Sequence, residues 1–369
     1  MSGAQAGLKS SGKPGKKKKA LFRMIIFSLF VSILLCSGII SYNYVVVQKD
    51  IAEEKLPEIS EDSRIEIEIP KGATTSEISD LLKEKGVIKH PFIFKMMSKI
   101  NGFDGMYKSG THYVSEDFDY DMIMRALSSD PVSKKVLIPE GYTFKQIVEK
   151  LSKEQLIDKT KFTKTANEEK FDYKFLQGLP EREFKLEGYL FPDTYVFDIK
   201  AGEKAIIDRM LLRFDEMFKP EYAEKAKELG MTMDKIIILA SIIEREAKEP
   251  DERKTIAGIF YNRLKSKNPS LKKLQSCATI QYIFMNRDGT VKEKITDEDT
   301  KIKDPYNTYQ IEGLPPGPIC SPGMDSIEAA LDPEATDYYY FVAKGDGTHQ
   351  FSKTLKEHQA AAKKYGVIN

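Results

Sequence analysis

From Met24 to Gln48 the chain carries no charged residue, and the 23 residues before that run hold seven cations and no acid. The core reads Met24-Ile-Ile-Phe-Ser-Leu-Phe-Val-Ser-Ile-Leu-Leu-Cys36 and continues through Ile39 and Ile40 to Val45, Val46 and Val47. As a helix, residues 24–47 rise about 36 Å, against a bilayer hydrocarbon core of about 30 Å. Tyr42 and Tyr44 suit the aromatic belt at one interface. Lys9, Lys13, Lys16, Lys17, Lys18, Lys19 and Arg23 precede the run, while Asp50, Glu53 and Glu54 follow it. The positive-inside rule then predicts a cytoplasmic N-terminus, with residues 49–369 on the other side. A cleaved signal peptide requires a shorter apolar region and a small-x-small exit, and Ser41-Tyr42-Asn43-Tyr44 is not one. A lipoprotein signal requires a small residue before Cys36, and Leu35 stands there. The reading is an uncleaved single-pass anchor.

That segment changes the meaning of the composition. Lys and Arg number 57 and Asp and Glu 56, a net charge of +1. The first 23 residues hold +7, so the remainder holds 1 − 7 = −6. A basic run in isolation suggests a nucleic-acid arm; next to a membrane span it orients the chain, and no nucleic-acid partner is expected. A hydrophobic content of 41% excludes a wholly disordered or collagen-like chain. The expected organisation is a basic disordered tail over 1–23, a transmembrane helix over 24–47, a linker over 48–64, and two folded parts over 65–160 and 161–369.

Within the ectodomain a pattern recurs at an offset of 69. Ile69-Pro-Lys-Gly-Ala-Thr-Thr-Ser-Glu-Ile78, running on to Ile88, is echoed by Ile138-Pro-Glu-Gly-Tyr-Thr-Phe-Lys-Gln-Ile147, running on to Ile157, with 7 of 20 positions identical. Each copy predicts a short strand, a Pro-x-Gly turn and a helix capped near Thr, with Ile78, Leu81 and Leu82 or Ile147, Val148 and Leu151 as the apolar stripe. The fold class is α+β. The repeat resembles LysM-like modules, which recognise N-acetylglucosamine-containing glycans; equally, the same residues are ordinary turn and cap chemistry.

Common catalytic signatures are missing: there is no HExxH, GxSxG, Walker A or GxGxxG motif, and no CxxC. No metal site and no cofactor are expected. Cys277 and Cys320 are compatible with one disulfide or with two free thiols. The informative segment is Asp234-Lys-Ile-Ile-Ile-Leu-Ala-Ser-Ile-Ile-Glu244-Arg-Glu246. Ile236 to Ile243 are apolar on every face, which predicts a buried helix, with Asp234 as its cap. It runs into two acids. Desolvation raises a carboxyl's pKa, as a general acid near neutral pH requires. Glu244 and Glu246 are about 200° apart around a helix. Glu246 stacks over Ile242 and Ile243, whereas Glu244 stacks over Ala240 and Ser241 with Lys248 one turn ahead. Glu246 is the better-placed proton donor and Glu244 a supporting acid; a solvated helix end remains the alternative. Further on, a Pro/Gly-rich run bearing Tyr306, Asn307, Thr308 and Tyr309 suits the lining of a sugar groove or a structural loop.

These residues carry a resemblance. Ala240-Ser-Ile-Ile-Glu-Arg-Glu246, Ile259-Phe-Tyr-Asn-Arg-Leu264, Leu274-Gln275, Tyr306-Asn-Thr-Tyr309, Gly313-Leu-Pro-Pro-Gly317, Ser321-Pro-Gly323 and His349-Gln-Phe351 resemble the MltG (YceG-like) family of endolytic murein transglycosylases. Lys108-Ser-Gly-Thr111 and Glu187-Gly-Tyr-Leu-Phe-Pro-Asp-Thr194 fit as well, so the resemblance spans roughly 65–365 in order. It implies a LysM-like α+β subdomain followed by a YceG-like α+β catalytic domain in a bacterial cell membrane. It also implies lytic cleavage between N-acetylmuramic acid and N-acetylglucosamine in peptidoglycan strands. The second acid of the motif, Glu246, is then catalytic. Asn262, Arg263, Gln275, Tyr306, Asn307, Thr308 and Tyr309 become candidate substrate contacts, and penicillin-binding synthases candidate partners. The chain departs from the family at Cys277-Ala278-Thr279, where Asp-Pro-Thr is usual. A peptidoglycan-binding scaffold without activity is the alternative reading.

Overall fold

The computed structural model describes residues 16–53, 56–57, 59–292 and 294–366. It opens with one long helix, α1 (Lys16–Glu53). Within it Leu21–Tyr42 is apolar, long enough to cross a membrane, and not buried by the rest of the chain. Lys16–Arg23 is therefore helical where the sequence suggested a disordered tail; residues 1–15 lie outside the described residues. The helix also continues into the expected linker, because the sequence offers no proline between Met24 and Pro57 to end it.

The chain divides into two compact units, Met1–Val132 and Ser133–Asn369. In the first, β1 (Ile65–Ile69) is followed by α2 (Thr75–Glu84), α3 (Pro91–Ile100), β2 (Gly110–Val114) and α4 (Tyr120–Ser128). β1 and β2 pair antiparallel, from Ile65 opposite Val114 to Ile69 opposite Gly110. The period-2 pattern of β1 turns Ile67 and Ile69 onto Ile78, Leu82, Phe94 and Ile123, while Glu68 stays exposed.

The second unit begins in the same way. β3 (Ser133–Leu137), α5 (Phe144–Lys153), α6 (Lys159–Glu168) and β4 (Thr194–Asp198) repeat the order strand, helix, helix, strand, with β3 and β4 antiparallel. Both copies start their first helix with a capping box: Thr74 with Glu77, and Thr143 with Gln146. The duplicated motif is thus real as a structural unit, but its copies belong to different compact units. The boundary falls at 132/133 instead of 160/161, because β3 hydrogen-bonds to β4 and Phe144, Ile147 and Leu151 enter the larger core. The copies differ in one respect that matters later. Between second helix and second strand the first has residues 101–109 and the second 169–193, so the second carries 25 − 9 = 16 more residues.

The remainder of the second unit is mainly helical: α7 (Gly202–Met217), α8 (Pro220–Glu228), α9 (Met233–Glu246), α10 (Arg253–Lys265), α11 (Cys277–Asp288) and α12 (Met324–Leu331). It closes with the antiparallel pair β5 (Tyr340–Ala343) and β6 (His349–Ser352) and with α13 (Leu355–Lys364). Helix α9 is the centre, with Ile236 to Ile243 all buried. Its cap is Thr232, whose hydroxyl accepts from the Lys235 N–H at 3.3 Å, and not Asp234. A cap needs an extended backbone, which Thr232 has; Asp234 lies inside the helix, where its carboxylate accepts from Arg182 and from the Tyr189 hydroxyl, each at 2.7 Å.

On α10, Gly258 lets another chain segment approach: a Cβ there would sit 2.2 Å from the Glu334 carbonyl oxygen. Alanine normally gains about 1 kcal/mol over glycine inside a helix. Gly258→Ala is nevertheless expected to destabilise the second unit by about 1–3 kcal/mol through overpacking. Thermal melts of the two proteins check this, and an unchanged or raised midpoint would refute the close approach.

Candidate active site

Glu246 is the last helical residue of α9, followed by Ala247 in extended conformation. The unpaired carbonyls of a helix C-terminus disfavour negative charge beside them. The residue is half-buried. Its Oε1 accepts the Ser276 hydroxyl at 2.5 Å and, more distantly, the Ala278 N–H at 3.4 Å. Burial pushes this carboxyl above the usual range; the Ser276 and Ala278 donors, His349 and Arg245 pull the other way and do not overcome it. Glu244 behaves differently. Its Oε2 accepts the Gly323 N–H at 3.1 Å and the Ser326 hydroxyl at 2.7 Å, binding the loop before α12. Lys248 is not its partner, because α9 stops at Glu246 and no further turn exists to carry an i+4 pair.

The segment 274–279 reaches Glu246 through a sharp turn. Gln275 has φ +52°, in the left-handed region that residues with a Cβ rarely enter. Its N–H donates to the Thr308 carbonyl at 3.1 Å, and the Ser276 N–H donates to the Thr308 hydroxyl oxygen at 3.0 Å. Arg263, which is buried, donates to the Gln275 side-chain oxygen, to Tyr339 O and to Leu271 O, with its guanidinium over the Tyr340 ring. Asn307 donates to Thr300 O and Ile302 O, while its side-chain oxygen accepts from the Tyr309 N–H. Asn262 donates to Thr336 O and Tyr338 O. The polar groups of Asn262, Arg263, Asn307 and Thr308 thus hold the protein's own chain. Gln275 and Tyr309 are at least partly exposed beside Glu246, whereas Tyr306 packs on Tyr282, with ring centroids 4.9 Å apart.

Two more groups border the site. His349 on β6 is held by Glu252 at both its backbone N–H (2.9 Å) and Nδ1 (2.7 Å). Cys277, the first residue of α11, is exposed, with Sγ 3.0 Å from the Tyr309 hydroxyl. Cys320 is buried with its thiol on Ser241 O, and both cysteines are free. Among the described residues no group of three or more His, Cys, Asp or Glu side chains is arranged to hold a metal ion.

The family model described as the YceG-like family matches residues 67–364. The chain belongs to that family. It is 34% identical over 324 residues to a Bacillus subtilis protein named endolytic murein transglycosylase, covering 84% of this chain and 88% of that one. A Streptococcus pneumoniae protein of the same name is 30% identical over 363 residues, 91% of this chain and 63% of the relative. A crystal structure of a yceG-like protein from Listeria monocytogenes aligns with a TM-score of 0.52 at 36% identity, covering 80% of this chain and 98% of that one.

In this YceG-like chain the 16 extra residues of the second copy have a purpose that the sequence did not disclose. They lie in the stretch bearing Arg182, Glu187 and Tyr189. Glu187 is 1% exposed, accepts the Phe144 N–H at 2.9 Å and the Tyr282 hydroxyl at 3.1 Å, and ties α5 to α11. Its signal is a lone acid within the run Leu186-Glu-Gly-Tyr-Leu-Phe191. A cavity of about 1170 Å³, lined by Phe175, Leu179, Phe218, Met233 and Leu314, opens at the Asp234 end of α9. Asp234 and Glu246 are 12 residues apart on that helix, about 18 Å, so the cavity is separate from the carboxyl chemistry.

Burial pushes the Glu187 carboxyl up to about 8, against opposing hydrogen bonds. A folded-state value above the unfolded one means that the native state binds more protons between about pH 4.5 and 8, so stability is lost as pH rises through that window. Glu187→Gln removes this titration. Its stability is expected to fall less between pH 5 and pH 8 than that of the parent, by roughly a few kcal/mol, read as a smaller drop in melting temperature. Equal slopes in paired melts would refute the assignment.

Proposed function

We propose that this protein is a membrane-anchored endolytic peptidoglycan lytic transglycosylase in which Glu246 acts first as acid and then as base. The observation that carries the reading is the Glu246 carboxyl itself: desolvated, at the end of a buried helix, in a chain of the YceG-like family whose relatives bear that enzyme's name. A hydrolase of glycosidic bonds usually needs two carboxylates, one of them to attack or to activate water. Here the nearest acid in sequence, Glu244, is occupied by Gly323 and Ser326. A lytic reaction requires only one. Glu246 protonates the glycosidic oxygen between N-acetylmuramic acid and N-acetylglucosamine as the C1–O bond breaks. The muramyl C6 hydroxyl then closes on C1, and its proton returns to the carboxylate. The product ends in a 1,6-anhydro ring, and no water is consumed.

The apolar segment Leu21–Tyr42 supports a single-pass anchor, and the seven preceding cations support a cytoplasmic N-terminus. The folded units then lie on the cell-wall side, within reach of nascent strands and of the penicillin-binding synthases that make them. The first strand–helix–helix–strand unit is the candidate for LysM-like glycan contact.

Glu246→Gln is expected to keep the fold and glycan binding but to abolish cleavage, since an amide neither gives nor recovers the proton. Glu244→Gln is expected to cost less. Digestion of purified glycan strands, with mass spectrometry of the new ends, checks both. Full activity of the Glu246 variant, or reducing muramyl ends in the parent digest, would overturn the reading; binding without cleavage by the parent would favour a scaffold.

A further inference from the structure

Ser276 is absent from the residues that sequence reasoning singled out, yet it touches the Glu246 carboxyl more closely than any other described residue. It is 2% exposed, so its hydroxyl has no solvent role. Its main chain is pinned by the bond from its N–H to the Thr308 hydroxyl oxygen, and Thr308 is itself buried and bonded to Thr279. The residue before it is held at φ +52°, a strained conformation for a residue with a Cβ that persists only when its surroundings enforce it. Two bonds enforce it here: Gln275 N–H to Thr308 O, and Arg263 to the Gln275 side chain. A strained, doubly clamped turn thus delivers one hydroxyl to one carboxyl oxygen.

We infer that Ser276 is a positioning residue that gives the two oxygens of Glu246 different tasks, Oε1 as a fixed hydrogen-bond acceptor and Oε2 as the atom that gives and recovers the proton. The inference rests on reading Glu246 as the acid. Oε1 already accepts an O–H and, at longer range, an N–H. A proton placed on that oxygen would point at a second hydrogen, so the acidic proton belongs on Oε2. Among the described residues Oε2 has no hydrogen-bond partner, which leaves it available to substrate. In the first half-reaction Oε2–H passes its proton to the glycosidic oxygen, which takes the electron pair of the breaking C1–O bond. In the second, the C6 oxygen bonds to C1 and its proton returns to Oε2. Between the two, the carboxylate is charged, and the Ser276 bond becomes charge-assisted and stronger. Ser276 therefore favours the ionised intermediate.

The other titratable and charged groups around Glu246 are Arg245 on α9 itself, His349 on β6, and Cys277 and Tyr309. Cys277 and Tyr309 bond to each other, and His349 is engaged by Glu252. Ser276 is thus the one neighbour whose side chain hydrogen-bonds to the carboxyl, among the described residues.

The test uses the full-length protein in detergent micelles, with anhydro ends on purified strands quantified across pH. Ser276→Ala is expected to lower kcat about 10- to 100-fold with little change in KM. It should also move the alkaline limb of the profile to higher pH, because the carboxyl loses a bond that favours its charged form. Ser276→Thr keeps the hydroxyl and is expected to recover both rate and limb. An alanine variant with the parental limb, whether fully active or uniformly impaired, overturns the inference. Glu246→Gln in the same assay separates the two claims: an active glutamine variant sinks the acid assignment and this inference with it. A dead one beside a parental Ser276→Ala sinks this inference alone.

Discussion

Ile236 to Ile243 are buried on every side of α9, so each turn of that helix must be met by another element. Helix α12 is joined to its end through Glu244, which binds Gly323 and Ser326. The Pro/Gly-rich loop runs alongside, donating the Ile319 N–H to the Ser241 hydroxyl at 3.0 Å. Desolvation of Glu246 follows from the same packing. A helix that tolerates no water around its middle hands over its last carboxyl already partly dried. The raised pKa is thus a by-product of core formation more than of a dedicated electrostatic partner.

Division of labour between the two acids follows from helix geometry alone. Two residues apart, they must diverge, and they do: Glu244 fastens a loop, while Glu246 meets the turn at Ser276. One position organises and the other retains an oxygen that no described residue engages.

Periodicity and turn chemistry made much of this legible in the sequence. The membrane-length apolar run, the duplicated strand–turn–helix with its capping threonines, the buried α9 and the divergent acids all follow from local pattern. What was not legible depends on partners far along the chain. Asn262 looks like a sugar-binding amide until Thr336 and Tyr338 are seen to accept both of its donors. Asp234 looks like a cap until Arg182 and Tyr189 claim it. The domain boundary is hidden for a related reason: β3 waits for β4, some sixty residues on, and no local signal announces that pairing. Polar side chains in a core are read correctly only once their satisfaction has been accounted for.

Helix α1 has a mechanical consequence. It continues from Tyr42 to Glu53 without a break, 53 − 42 = 11 residues, or about 16 Å of rise. A continuous hydrogen-bonded helix bends little, so for a chain anchored through Leu21–Tyr42 it acts as a post. Beyond it the chain is soon taken up by the first unit, since Leu56 and Ile65 pack against that unit's core and Glu61–Ser63 form a short 3-10 turn before β1. The rise of that post therefore sets how far from a bilayer a chain anchored in this way would hold its first unit, much as the height of a pier sets how far a deck stands above the water.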